Sequence, residues 1–345
     1  MRILYVGPCG EGGTCLQRKR ALEDLGHEVT SIDTLPLGVI QKTRTVRYRV
    51  LNRIGYPPDI GKANRQIGEY GRRACYDILW VDKGVTVSRE TLNHFRKTNL
   101  NAAILSYSPD DMLNRRNCSK RYRASISSYD IHITTKSYNV DELISLGARR
   151  VRFIQNGYDP ATHRPVVLTP NDRSLFETDV VFIGQWERAR QLSLETLIRT
   201  IPDIKLRVWG PGWKHVPKGS NLWPCLMMRS VYGSEYAKAI CASKICLGFL
   251  SKANRDLQTT RSIEIPACEG FLLAERTDEH LNLFQENTEV EFFDCDEELC
   301  FKVQYYLAHE NQRRQIALNG RIRCLRSGYS NQALLASVLR EITSV

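Results

Sequence analysis

Along almost its whole length the chain alternates short apolar runs with longer amphipathic ones. "RILYVG" is followed by "LQRKRALEDLGHEV" and then "TSID"; "YDILWVDKG" precedes "SRETLNHFRKT"; "NAAILSYS", "YDIHITT" and "RVRFIQNG" follow, with "NVDELISLGA" between the last two. Strands that alternate with helices build βαβ units and hence parallel sheets, so the rhythm predicts an α/β protein. Gly26 and Gly147 stand where helix C-caps are expected.

The rhythm breaks once. Residues 160–175, "PATHRPVVLTPNDRSL", carry three prolines, and the alternation then restarts with "TDVVFIG", "RQLSLETLIRTI", "IKLRVWG", "EYAKAICAS", "KICLGFL", "VEFFD" and "EELCFKVQYYLAH". A chain of 345 residues exceeds one compact core. The expected architecture is therefore two Rossmann-like domains, 1–165 and 176–325, joined by a linker at 166–175 and followed by a C-terminal segment, 326–345. Ligands of such sheets bind outside the carboxyl ends of the strands. The cleft between two such domains is the expected active site.

The formal net charge of +11 favours polyanionic partners: nucleic acid, an anionic membrane surface or phosphorylated substrates. The excess is concentrated in residues 41–75 and 113–123, where solvated faces are the alternative explanation. The cysteines are odd in number, scattered and without a C-x-x-C pair, which argues against a disulfide framework or a zinc site and for a reducing cytoplasm. A peripheral position at the inner membrane surface is compatible with the charge. No run approaches the roughly 18 apolar residues of a membrane span, and "MRILYVGPCGEGG" reads as a first strand rather than a signal peptide.

Four stretches carry candidate chemistry. The loop "GPCGEGGT" places Gly10, Gly12 and Gly13 after the first strand, either where backbone approaches phosphate or as a flexible strand-to-helix loop lining the cleft on the acceptor side. Its spacing does not match G-x-G-x-x-G, and Asp33 at the second strand end is only a weak ribose candidate. In "SYSPDDMLNRRN", Asp110 and Asp111 follow a strand and Pro109; they are either helix N-caps or substrate-facing acids. In "FIGQWERAR", Gly184 ends a strand and Glu187 and Arg190 follow, which suits an anionic ligand. In "LGFLSKANRDLQTTRSIEIPACEGFLLAER", Lys252, Asp256, Arg261 and Glu264 precede Gly270. A carboxylate such as Glu264 among apolar neighbours needs a partner, either an ion pair with Arg261 or a polar ligand.

These last residues resemble nucleotide-sugar glycosyltransferases of the GT-B fold, related to glycosyltransferase family four and to the spore-maturation CgeB-like branch. "EIPACEGFLLAE" is similar to that family's E-x-x-A-C-G-G-x-x-L segment; "EYAKAICASKICLGFL", "ALNGRIRCL", "YSPDDM", "TTKSYNVDEL" and "NGYDPATHRP" are also similar to its segments. The resemblance implies a two-domain glycosyltransferase that moves a sugar from a UDP- or GDP-sugar to an acceptor hydroxyl on a carbohydrate, protein or other molecule, with retention. The nucleotide sugar is a co-substrate, with no separate cofactor. Residues 1–165 would bind acceptor, 176–325 would bind donor, and a helix in "NQALLASVLREI" would cross back to the first domain.

By the same resemblance, Glu264 takes the second position of an E-x7-E motif and holds the ribose, while Asp256 takes the first and meets the transferred sugar. Glu269 replaces a more usual glycine, so the turn is expected to rely on Gly270, and Pro266 is expected to kink the helix or delay its start. Arg190 and Lys252 are the candidates for charge stabilisation, helped by Arg261 and a helix N-terminus. Asp110 and Asp111 would orient the acceptor or hold the sugar. The D-x-D of Asp294 and Asp296 reads as helix initiation, with Asp294 as N-cap and Glu297 as its partner, rather than as a metal site. A DNA-modifying or nucleic-acid-binding protein and an inactive sugar-binding module are the competing classes.

Overall fold

The computed structural model describes residues 1–114 and 117–343. Arg115 and Arg116 of the basic stretch 113–123 lie outside the described residues, as do Ser344 and Val345 of the C-terminal segment. The chain divides into two compact units, residues 1–155 together with those from Asn331 onward, and Asn156–Ser330.

In the first unit the strands are β1 (Arg2–Gly7), β2 (Glu28–Asp33), β3 (Ile78–Asp82), β4 (Ala103–Ser108), β5 (Ile131–Thr134) and β6 (Val151–Phe153). Its helices are α1 (Thr14–Asp24), α2 (Val46–Arg53), α3 (Ala63–Arg73), α4 (Arg89–Thr98), α5 (Lys120–Ser125) and α6 (Asn139–Ser145). Among the described residues the sheet is parallel, in the order β2-β1-β3-β4-β5-β6. The chain turns back between β1 and β3, a topological switch point of the kind at which doubly wound sheets bind ligands. β3 reads "ILWVD" and is buried throughout, as a strand covered on both faces must be.

The second unit contains α7 (Pro170–Phe176), β7 (Thr178–Ile183), α8 (Arg188–Thr200), β8 (Leu206–Trp209), α9 (Gly233–Cys241), β9 (Ser243–Gly248) and α10 (Arg261–Ala267). It continues through β10 (Leu272–Glu275), α11 (Asp278–Leu283), β11 (Glu291–Phe293), α12 (Asp296–Ala308) and α13 (Glu310–Arg326). Its parallel sheet runs β11-β10-β9-β7-β8, so the switch point falls between β7 and β9. Both units are therefore Rossmann-like.

Part of the stretch read as linker is helical and belongs to the second unit. Thr169 accepts from the Asp172 N–H at 3.1 Å while the Asp172 carboxylate accepts from the Thr169 N–H at 3.0 Å, and Pro170 occupies the first helical position. This capping box starts α7, so the last of the three prolines marks a helix start rather than a linker. The final helix, α14 (Asn331–Thr343), belongs to the first unit. Its Leu335, Val338 and Leu339 enter the apolar layer formed by Ile3, Tyr5, Leu22 and Trp80, and Glu341 pairs with Arg150 and Arg152. Gly26 and Gly147 hold left-handed backbone just past α1 and α6, as expected of helix ends.

Candidate functional site

In the second unit the predicted residues gather where β7, β9 and β10 end. β7 stops at Ile183. A Cβ on Gly184 would lie 2.5 Å from the Phe182 ring, and one on Gly210 would lie 2.1 Å from the Gly184 carbonyl oxygen. Two glycines thus let the loops after β7 and β8 pack backbone to backbone, with Trp213 Nε1 donating to the Gly184 oxygen at 2.9 Å. That packing sets where α8 begins. Glu187 is its N-cap residue, and Arg190 is carried in its first turn.

Arg190 is buried. Its Nη1 donates to the Gln185 carbonyl at 2.8 Å, its Nη2 lies 3.4 Å from Glu187, and the guanidinium sits 5.6 Å from the centre of the Phe182 ring. Its Nε is buried and has no hydrogen-bond partner among the described residues. Burial lowers its pKa, Glu187 opposes that, and the neighbouring charge of Arg261 lowers it further. Arg261, the first residue of α10, donates from Nε to the carbonyl of Ile183. Two guanidiniums thus converge on the end of β7, and one of them is incompletely paired. Such a concentration of buried positive charge is costly unless an anion meets it.

On the β9 and β10 side, Lys252 pairs with Glu275, the last residue of β10, whose other oxygen accepts the Leu250 N–H at 2.9 Å. Asp256 accepts from Asn254 Nδ2 at 2.7 Å and from the Ser251 N–H at 3.3 Å. Asp256 and Glu275 both act electrostatically on Arg190, so the five residues share one neighbourhood.

Glu264 sits in the first turn of α10 and is buried. The ion pair with Arg261 offered as one explanation is not how it is held. Oε2 accepts the Tyr236 hydroxyl at 2.8 Å, and Oε1 faces His163 Nε2 at 3.8 Å. His163 Nδ1 accepts the Asp159 N–H at 3.0 Å, so its proton stands on Nε2, toward Glu264. Neither Tyr236 nor His163 stood out in the sequence. His163 lies within "NGYDPATHRP", whereas nothing about Tyr236 in α9 distinguishes it from a core aromatic. Glu275 had a signal in hindsight, an acid closing a buried apolar strand.

The turn after α10 differs from expectation. Glu269 itself takes the left-handed conformation, at φ 61°, while Gly270 does not. Gly270 is needed for space: a Cβ there would lie 2.5 Å from Ile240 Cγ2. Pro266 is accommodated inside α10, a helix of seven residues. The D-x-D reading also shifts by one residue. Cys295 is the N-cap of α12, and Glu298, not Glu297, reaches back to the Asp294 N–H at 2.8 Å, while Asp294 approaches Arg276 at 3.4 Å. No group of three or more His, Cys, Asp or Glu residues among the described residues has the arrangement of a metal site.

In the first unit the glycine loop lies above the β1/β3 switch point. Gly12 takes φ 73°, and the Gly13 N–H donates to the Gly10 oxygen at 3.1 Å. Beneath it lies a feature the sequence did not announce: Asp82, at the end of β3, is buried and bound by Arg18 Nε at 2.6 Å, Arg18 Nη2 at 3.0 Å and the Tyr5 hydroxyl at 2.7 Å. The guanidinium of Arg18 also lies over the Tyr107 ring. Asp33 clamps its own loop, accepting from the N–H groups of Cys9 at 3.1 Å and Leu35 at 2.9 Å, which accounts for it without a ribose.

The paired acids Asp110 and Asp111 separate in role. Asp111 is fully buried, and its Oδ1 accepts from the N–H groups of Leu113 and Asn114 and from Asn139. These bonds hold the turn that follows β4. Asp110 is partly exposed and pairs with Lys83 at 2.8 Å.

Residues 188–340, from the start of α8 into α14, match a family model described as glycosyl transferase-like. Sucrose-phosphate synthase from Thermosynechococcus elongatus is similar in structure, with a TM-score of 0.68 at 15% identity over 100% of both chains. HepE from Anabaena in complex with UDP-glucose gives 0.66 at 13% identity, again over 100% of both chains. A glycosyltransferase from Rickettsia africae gives 0.67 at 12% identity, over 98% of this chain and 97% of the other. These likenesses show a shared fold, GT-B. No curated protein matches the chain.

Proposed function

We propose that the protein is a glycosyltransferase, of the CgeB-like branch its motifs resemble, that binds a nucleotide sugar in its second unit. The observation that carries this is the convergence of Arg190 and Arg261 on the end of β7, with Arg190 buried and its Nε unpartnered, at the switch point of a Rossmann-like sheet. A nucleoside diphosphate supplies the missing anion. The glycosyl transferase-like match over 188–340 and the UDP-glucose complex of the structurally similar HepE support the same reading.

In this reading Arg190 and Arg261 hold the diphosphate, with Lys252 exchanging Glu275 for a phosphate oxygen. As the glycosidic bond to the leaving diphosphate lengthens, negative charge builds on its oxygens, and fixed guanidiniums stabilise it without reorganising. Glu264, already oriented by Tyr236, accepts the ribose hydroxyls, and Asp256 meets the transferred sugar. The arginines take the place of a divalent cation, so the reaction needs no metal, and it retains anomeric configuration as in the enzymes it resembles. In the first unit, Asp110 is the acid offered to the acceptor hydroxyl.

The test is calorimetric titration with UDP, GDP and their common sugars. Saturable binding of one diphosphate series, weakened in Glu264→Gln, is expected. A ligand at 100 times its dissociation constant adds about 2.7 kcal/mol of stability, so thermal shifts give an independent readout. No binding of any nucleoside diphosphate by the folded protein would overturn the reading.

A further inference from the structure

The connection between β2 and α3 is an excursion that the doubly wound core does not need. Such strand-to-helix connections usually take a few residues, and long ones carry function. This one includes a 3₁₀ segment, Leu37–Arg44, and α2, and neither contributes a buried residue. Its C-terminal end is fastened to α5 and its helix is capped. The Lys120 N–H donates to the Gly55 oxygen at 2.8 Å, Arg121 donates to the Pro57 carbonyl at 2.8 Å, and Thr45 caps α2 by accepting from Tyr48.

The side chains are distributed the wrong way round for a helix serving only the core of its own unit. Val46, Val50 and Ile54 recur every fourth residue and so share one face, within about 80° on a helical wheel. They are 75%, 54% and 51% exposed, and Leu37 just before them is 79% exposed. The partly buried residues of α2, Tyr48 and Leu51, lie on the other side. Arg47 borders the apolar stripe on one flank, and Arg49 and Arg53 border it on the other. Between Asp33 and Asp59 the chain has five basic residues and no acid.

An outward apolar stripe edged by arginines matches a surface that is apolar below and anionic above. We propose that residues 37–56 dock the protein on an anionic phospholipid bilayer, with Val46, Val50 and Ile54 entering the boundary between headgroups and acyl chains and the arginines meeting phosphate. Nucleic acid accounts for the arginines but leaves the stripe in water. A second copy of the chain would bring two like-charged segments together. Among the described residues no helix is long and apolar enough to cross a membrane, so the contact is one of surface.

The experiment is co-sedimentation with vesicles of mixed phosphatidylglycerol and phosphatidylcholine, and with vesicles of phosphatidylcholine alone. The wild type is expected to sediment with the mixed vesicles and to stay in solution with the neutral ones. Two triple variants, Val46→Asn/Val50→Asn/Ile54→Asn and Arg47→Gln/Arg49→Gln/Arg53→Gln, change exposed side chains, and unchanged circular dichroism will show that they fold. Each is expected to lose sedimentation, the arginine variant by on the order of a hundredfold in partitioning. Failure of the wild type to sediment with anionic vesicles overturns the proposal, as does sedimentation that either variant retains. Retention on duplex DNA that only the arginine variant loses assigns the patch to nucleic acid and also overturns it. So does a concentration-dependent dimer in sedimentation velocity that the asparagine variant abolishes.

Discussion

Tyr236 donates its hydroxyl to Glu264 across 2.8 Å, and both side chains are buried. The bond fixes one carboxylate oxygen and leaves the other toward His163. Tyr236→Phe is expected to cost about 1.5–3 kcal/mol of stability, the worth of a hydrogen bond to a charged group. It should also weaken nucleoside diphosphate binding, because Glu264 loses its orientation. Urea denaturation and calorimetry measure the two effects. Weakened stability with unchanged affinity would make the pair a packing element only.

Arg190 is predicted to serve ligand more than fold. Replacing a buried, incompletely paired charge by an apolar side chain of similar length is often neutral or stabilising. Arg190→Met is therefore expected to keep or raise the melting temperature while nucleoside diphosphate affinity falls by roughly tenfold or more. A large drop in melting temperature at unchanged affinity would assign Arg190 to the α8 junction instead.

His132 makes the first unit sensitive to acid. Burial pushes its pKa down from 6.5 to about 4, against a hydrogen bond to the Ile126 carbonyl that favours the charged form. The folded state thus holds the ring neutral while the unfolded chain protonates it. Its contribution is full above pH 6.5 and is lost as pH falls toward 4, amounting to about 3 kcal/mol. His280, also lowered mainly by burial, acts in the same direction in the second unit. Denaturant unfolding between pH 7 and pH 4 should show a shallower decline for His132→Gln than for the wild type. Parallel curves would remove His132 as the cause.

Chelator is expected to leave glycosyl transfer intact. Asp294→Asn with Asp296→Asn should cost no more than about 1 kcal/mol, since Asp294 is an exposed partner of Arg276 and Asp296 a first-turn acid of α12. Turnover assays in excess EDTA, with and without added magnesium or manganese, check this. Restoration by metal would reassign the D-x-D.

Glu269→Gly is expected to stabilise the protein by up to about 1 kcal/mol. The left-handed conformation is strained for glutamate and free for glycine, while the pair with Arg321 that is lost is more than a third exposed and so screened by solvent. A lower urea midpoint would mean that the Arg321 contact outweighs the strain.

The fold was legible because its signal is periodic. Each buried strand leaves an apolar run such as "ILWVD" or "DVVFI", and some helix ends leave a glycine, Gly26 and Gly147 among them. Elements that bury no apolar face, α2 above all, left no such mark. The candidate site drew notice where charge stands against expectation, as at Arg190 and Glu264. It was illegible where partners come from distant segments: Tyr236 and His163 meet Glu264 through tertiary packing, which no local spacing encodes. Asp110 and Asp111 show the limit of adjacency. Neighbouring side chains in an irregular turn diverge, and one became a buried turn anchor while the other faced Lys83.

Synthesis order gives the discontinuous first unit a further consequence. α14 supplies Leu335, Val338 and Leu339 to the layer that also holds Ile3, Tyr5 and Leu22. A ribosome completes all of residues 156–330 before it makes that helix. The second unit, being continuous in sequence, can close as soon as it emerges, whereas the earlier-made strands must wait with one apolar face covered by α1 alone until α14 arrives. The nascent first unit is therefore the part of this protein most exposed to chaperones and proteases during translation, although it is the first to leave the exit tunnel.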